Sequence, residues 1–154
     1  MSSGGTVGFD ELKAKLDGFG PYANVIGILG LEAGAQVFVG KAIMNVGSKF
    51  RRRTGDLINS IKVYDSGLVS SRPVTYFGSK GVVYAKIHEF GGIIKPKRAK
   101  MLHWVNDAGE DVFAKQSVIP ARPYLRPAVD EGKEQASQAI AAALDSKILD
   151  YFRI

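Results

Sequence analysis

LEAGAQVFVGKAIMNVGSKF, residues 31–50, decides the fold. Its apolar positions Leu31, Ala35, Phe38, Val39, Ala42, Ile43, Val46 and Phe50 follow steps of three and four, which predicts a helix with one face turned to a core. The glycines at 34, 40 and 47 each cost roughly 1 kcal/mol of helix propensity relative to alanine. Close approach of another backbone is the expected compensation.

Upstream, MSSGGTVGFDELK lacks the basic start and apolar run of a signal peptide. Phe9, Leu12 and Leu16 recur at helical spacing, and Gly18 with the following GFGP breaker is expected to end that helix. The division read from the sequence is an N-terminal arm with a short helix (1–30) and a single α+β domain (31–154). The most apolar stretch, VIGILGLEAGAQVFVG, is interrupted by Glu32 and Gln36 and closed by Lys41, short of the roughly 20 apolar residues that span a bilayer. A soluble protein with no membrane partner is the expectation.

Downstream of residue 50 the periodicity shortens. In LINSIKVYD, Ile61 and Val63 alternate with Lys62 as in a strand, and SGLVSSRPVTYFGSKGVVYA is punctuated by Gly67, Pro73, Gly78 and Gly81 in a hairpin pattern, with Pro73 expected at an edge or a strand start. The runs 101–104 and 112–119, separated by NDAGED, predict a second hairpin. The fold class that follows is α+β, an antiparallel sheet of about four or five strands packed against a long helix in the N-terminal half and a C-terminal helix. That last helix, from Pro127 onward, carries a narrow stripe of Val129, Ala136, Ala139, Ile140, Ala143, Leu144 and Ile148.

Composition narrows the chemistry. The 154 residues include no cysteine, which excludes disulfides, thiolate metal sites and a cysteine nucleophile. The formal charge is +6, with cations gathered in KFRRR (49–53), KPKRAK (95–100) and RPYLR (122–126). Such clusters serve phosphates, an acidic partner or solubility.

In YAKIHEFGG (84–92) a histidine and a glutamate stand together, but HEFGG lacks the second histidine that HExxH needs to set two ligands on one helical face. His103, Asp107 or Asp111 could join His88 and Glu89 only if the fold brought them together. A metal-dependent nuclease would draw on Glu89 or Asp111 with Lys115, without a distinctive spacing. No GxSxG elbow and no phosphate-loop fingerprint occurs, and Ser60 or Ser117 would be arbitrary nucleophiles. Phe50, Tyr76, Phe77, Tyr84 and Trp104 fit core or interface better than base stacking. The three-residue steps of Tyr84, Ile87 and Phe90 predict a short helical segment that buries those three, ends at Gly91 and turns His88 and Glu89 away from the buried stripe.

Three stretches, taken in order, form a pattern: RTGDLINSI (53–61), VYAKIHEFGG (83–92) and IPARPYLRPA (119–128). They resemble the tailed-phage tail-component family, the neck or tail completion proteins, together with the Mu-like virion morphogenesis proteins. Members carry a TGxLxxSI-like turn, a YAxxHEFG-like segment and an ARPFL-like segment before a last helix. The likeness covers roughly residues 35–130.

The resemblance implies a small structural α+β protein without cofactor, metal or turnover. It would form a ring, usually hexameric, in the virion neck or tail, assembled in the host cytoplasm. Its partners would be further copies of itself, a connector or head-closure protein, and tail tube or tail terminator proteins. The residues expected at such contacts are His88, Glu89, Lys95, Lys97, Arg98, Lys100, Arg122 and Arg126. Alternatively the basic face meets genomic DNA, and the rival class is a basic nucleic-acid-binding protein or a metal-dependent nuclease.

Overall fold

The spacing of residues 31–50 belongs to a far longer element. In the computed structural model, which describes residues 6–50 and 55–152, helix α1 (Thr6–Lys49) runs through Gly18, Gly20 and Pro21 without interruption. The short helix expected to stop at Gly18 is therefore the first quarter of α1, and the boundary drawn after residue 30 falls inside it. An internal proline costs about 3 kcal/mol through its missing N–H and ring clash. Aromatic packing stands beside it: Phe19 and Tyr22 lie against Tyr151, at 5.4 and 4.6 Å between ring centroids, and Phe19 also meets Phe152 at 5.3 Å. Tertiary contact here overrides the local breaker.

Those aromatics belong to helix α4 (Leu125–Phe152), which packs antiparallel along α1. Near one end Tyr151 donates its hydroxyl to the Lys15 carbonyl at 2.9 Å, and near the other Gly132 sits against Phe38 and Lys41. The close approach expected at the α1 glycines occurs at Gly34, where an added Cβ would lie 2.7 Å from Ile140 and 3.4 Å from the Ala136 carbonyl oxygen. Gly40 and Gly47 face open space, so for them the expectation fails.

The α1 helix also carries a window long and apolar enough to cross a membrane by length and composition, with mean hydropathy 1.4, because the helix does not stop where the sequence suggested. In this fold α1 packs on α4 and on the two strands that follow it, and 28% of that window is buried.

After α2 (Asp56–Ser60), strand β1 (Ile61–Val69) turns through Ser70 and Ser71 into β2 (Arg72–Ser79). Both serines have positive φ, 49° and 62°, as a tight two-residue hairpin turn demands. The register runs from Ile61 opposite Ser79 to Val69 opposite Arg72, with an irregularity between Val63 and Asp65. Pro73 falls at the second position of β2, as expected of a strand start, and its ring packs on Gly27 of α1.

Helix α3 (Ala85–Phe90) precedes four short strands: β3 (Gly92–Ile94), β4 (Leu102–Val105), β5 (Asp111–Ala114) and β6 (Ser117–Ile119). The α+β class and the two long helices are as expected, but the strands do not join one sheet of four or five. They form three two-stranded antiparallel ribbons, β1 with β2, β3 with β6, and β4 with β5. The run 112–119, read as one strand, breaks at Lys115 and Gln116 and contributes to two different ribbons. The β1–β2 ribbon lies on α1, whereas β4–β5 makes its extensive contacts only within itself.

The core lies where Val39, Ala42 and Val46 of α1 meet Leu57, Ile61, Ala85, Tyr124 and Ala128. Much apolar surface stays outside it, including Ile93, Val105, Phe113 and Val118 on the outer ribbons. The chain's accessible surface is 11129 Å². A compact monomer of this size exposes about 7,600 Å².

Candidate functional site

The three stretches that carry the family resemblance converge on that core. Leu57 and Ile61 come from the first, Ala85 from the second, and Tyr124 and Ala128 from the third, all packed against one face of α1. The basic residues 51–53 and the opening residues 53 and 54 of the first stretch lie outside the described residues.

Glu89 holds the second and third stretches together. Contrary to the expectation that it points outward, it is 8% exposed. Its Oε2 accepts from the backbone N–H groups of Tyr124 (2.8 Å) and Leu125 (3.0 Å), and its Oε1 from that of Arg126 (2.9 Å). A helix start leaves four N–H groups without intrahelical partners. At α4 these belong to Tyr124, Leu125, Arg126 and position 127, and Pro127 has no N–H to satisfy. One carboxylate thus completes the cap and places a negative charge at the positive end of the helix dipole.

The same helix inverts the other half of the expectation. Residues 85 and 89, four apart, are the buried pair of α3, while Phe90 is 59% exposed and Tyr84 also reaches solvent. Gly91 does end the helix, at φ 69° and ψ −180°, and an added Cβ would stand 2.8 Å from the Ala121 nitrogen. That approach lets Arg122 donate its N–H to the His88 carbonyl at 2.7 Å.

His88 is half-buried between the rings of Phe50, at 4.8 Å, and Tyr84, at 5.6 Å. Its Nδ1 is buried and has no hydrogen-bond partner among the described residues. Burial, and secondarily the Arg122 guanidinium, pushes its pKa below 6.5, so the neutral ring is favoured. Tyr124 is fully buried, and its phenol is pushed up chiefly by burial; a hydrogen bond with Ser79 opposes the shift and the Glu89 charge adds to it. Two side chains of α1 close the clasp from the far side. Asn45 donates to the Tyr124 carbonyl at 3.0 Å, and Lys49 to the Pro123 carbonyl at 2.8 Å.

Of the residues expected at contacts, His88, Glu89, Arg122 and Arg126 are therefore neighbours. The Arg126 guanidinium lies over the Phe90 ring, 5.6 Å from its centroid. Neither Arg122 nor Arg126 has an ion-pair partner among the described residues. Lys95, Lys97, Arg98 and Lys100 stand apart on the exposed loop between β3 and β4, likewise without ion pairs there.

The candidate chemistry disperses. His103 and Asp111 pair across β4 and β5 at 2.7 Å, both exposed, and His103 stacks on Phe113. Among the described residues no three histidine or acidic side chains come together to hold a metal. Ser60 donates to its own helix at the Leu57 carbonyl, 2.7 Å away. Phe77 is a core-side ring stacked on Phe38 at 5.3 Å, and Phe50 packs against the core, whereas Tyr76 and Trp104 are largely exposed.

One feature escaped the sequence altogether. Beside the clasp lies an open cleft of about 490 Å³, walled by Phe77, Phe90, Leu125 and Val129 and rimmed by Lys86 and Arg126. Phe90 would have signalled it only if its outward orientation had been known. In comparisons with protein families, with characterised proteins and with solved structures, nothing matches this chain.

Proposed function

We propose that the chain is a structural virion protein of a tailed bacteriophage, a tail completion or head-tail joining subunit that assembles into a hexameric ring between connector and tail tube. The observation that carries this reading is the convergence of the three motif stretches on one clasp. Segments that resemble one family in the same order, and that also form a single packed unit, are better explained by a shared scaffold than by chance recurrence of short glycine and proline motifs.

Two further features support an assembling protein. Glu89 is buried and spends three of its roughly four lone-pair sites on the cap, which makes it a poor ligand for Mg²⁺. The surface exceeds that of a compact monomer by about 3,500 Å², more than two contacts that each remove about 800 Å² from a subunit would need. The loop cations Lys95, Lys97, Arg98 and Lys100 would meet an acidic face of a connector or tail protein. Their exposure also favours a second reading, contact with DNA phosphates.

Electron microscopy of virion necks and sedimentation of the purified chain test the ring. A stable monomer that degrades DNA with Mg²⁺ would sink the proposal. Charge reversal at the four loop cations should leave the subunit folded while heads and tails accumulate unjoined. Normal joining, with loss of salt-sensitive DNA binding instead, would move the loop to the second reading.

A further inference from the structure

Near its N-terminal end α1 carries a second apolar stripe, on a different face from the one α4 covers: Phe9, Leu12 and Leu16 are 68%, 49% and 56% exposed. At 100° per residue these three fall within a sector of about 60°, spaced as the anchors of a helix that seats in a groove. Tyr151 of α4 meets α1 at Lys15 and Gly18, and Leu16 between them stays exposed because it points to another side of the helix.

The cleft beside the clasp is the complementary shape. Phe90, Leu125 and Val129 give it an apolar floor and wall, and Lys86, Arg126 and Asp130 stand at its rim, the aspartate paired with Lys133 at 3.0 Å. Asp10 and Asp17, with Lys13 between them, flank the stripe on α1. Neither aspartate and neither rim cation has an ion pair among the described residues.

The two surfaces cannot meet within one chain. The cleft is built at the start of α4, whose Ala128 and Gly132 pack near Ala42 and Phe38, and the stripe begins at Phe9 of the same helix. That stretch of helix is about 50 Å long at ~1.5 Å per residue.

We infer that the N-terminal end of α1 in one copy docks into the cleft between α3 and the start of α4 of a second copy, with Phe9, Leu12 and Leu16 as its anchors. The contact is heterologous: each subunit gives one end and receives the other, which generates a closed ring or an open filament. This inference rests on the ring reading and names the surfaces that would close it. The surplus surface is more than the roughly 1,600 Å² that two such contacts remove from a subunit.

The test uses the full chain at micromolar concentration, with circular dichroism confirming that each variant folds. All substituted positions are exposed or lie on the cleft wall. The arm variant is Leu12→Asp with Leu16→Asp, and the cleft variant is Phe90→Asp with Val129→Asp. Wild type should sediment as an oligomer, and each variant should lose at least tenfold in oligomer fraction. An equimolar mixture of the two should form dimers and nothing larger, because only one competent contact remains between them.

Because the chain has no cysteine, Leu12→Cys with Val129→Cys in one chain should give, on oxidation, a ladder of covalent multimers that dithiothreitol collapses. An oligomer that the arm variant leaves intact overturns the inference while sparing the ring reading, and so does an arm that binds lipid vesicles or another protein instead. A mixture that stays monomeric, or a double-cysteine chain without a ladder, also overturns it. A wild type that is monomeric both in solution and in virions overturns both.

Discussion

Replacing Glu89 separates a structural carboxylate from a catalytic one, because the two predict opposite signs. Three backbone donors at 2.8–3.0 Å depend on this side chain, and the residue is buried. Glu89→Ala removes the cap, worth about 1 kcal/mol. It also leaves the buried Tyr124 N–H without a partner, at about 1–3 kcal/mol, and cancels a favourable charge at the helix start of about 0.5–1 kcal/mol. Relief from burying a carboxylate returns part of this. The net expectation is a loss of about 2–4 kcal/mol, a large share of a typical folding stability of ~5–15 kcal/mol.

Glu89→Gln keeps the volume and one accepting oxygen, which can serve Tyr124 and Leu125, but it turns an NH₂ toward the Arg126 N–H. A loss of about 1–2 kcal/mol is expected for it. Urea unfolding followed by helicity at 222 nm reads both. With a slope of about 2 kcal/mol per M, the midpoint should fall by about 1–2 M for alanine and 0.5–1 M for glutamine. The thermal midpoint should drop by about 4–16 °C for alanine, at ~2–4 °C per kcal/mol for a chain of this length. A carboxylate kept for catalysis is usually strained, and its neutralisation stabilises the fold. Midpoints equal to or above wild type for both variants would refute the cap.

Two further perturbations probe the same clasp. The pKa of His88 is lowered in the fold, mainly by burial, so the unfolded chain takes up the proton first as pH falls; stability should be fully present above pH 6.5 and decline below it, and His88→Asn should flatten that part of a urea-midpoint profile between pH 8 and 5. A histidine titrating above 6.5 in a proton NMR titration, assigned by the same variant, would contradict it. Gly91 holds a φ/ψ combination that is essentially glycine-only, with backbone atoms where a Cβ would go; Gly91→Ala should cost about 2–3 kcal/mol, and a urea midpoint unchanged from wild type would show that the α3 end can be rebuilt cheaply.

The sequence made the helical elements legible wherever a long stretch repeated one period. Residues 31–50 and the stripe from Val129 to Ile148 announced the two long helices because each buries a face on the other. It misplaced the start of α1 because Gly18, Gly20 and Pro21 are local signals, whereas the rings of Tyr151 and Phe152 that support the helix there lie more than a hundred residues away. Strands were found as strands, but their partners were not. Runs of three or four residues with both faces partly exposed carry little register information. Glu89 was hidden for the same reason as the aromatic support. Capping rules look three residues along the chain, and this cap reaches from position 89 to 124–126. The one local hint was negative: ARPYLRP opens a helix with none of the residues that usually cap one.

Successive residues of α3 do opposite things, and this links the clasp to assembly. Glu89 turns inward and fixes the start of α4, while Phe90 turns outward and forms the cleft with Leu125, which the Glu89 cap positions. Loosening the cap therefore displaces both walls of the cleft, although no residue of the contact has changed. By mass action, a partner that binds only the folded cleft adds to apparent stability in proportion to the logarithm of its concentration. A Glu89 variant should then lose less stability when assembled than when the arm has been disabled, because the docked helix holds Phe90 and Leu125 in place from outside. On the proposed docking, the subunit's small core would be completed by its neighbour, a role open to the apolar side chains, from Phe9 to Val118, that the chain leaves on its surface.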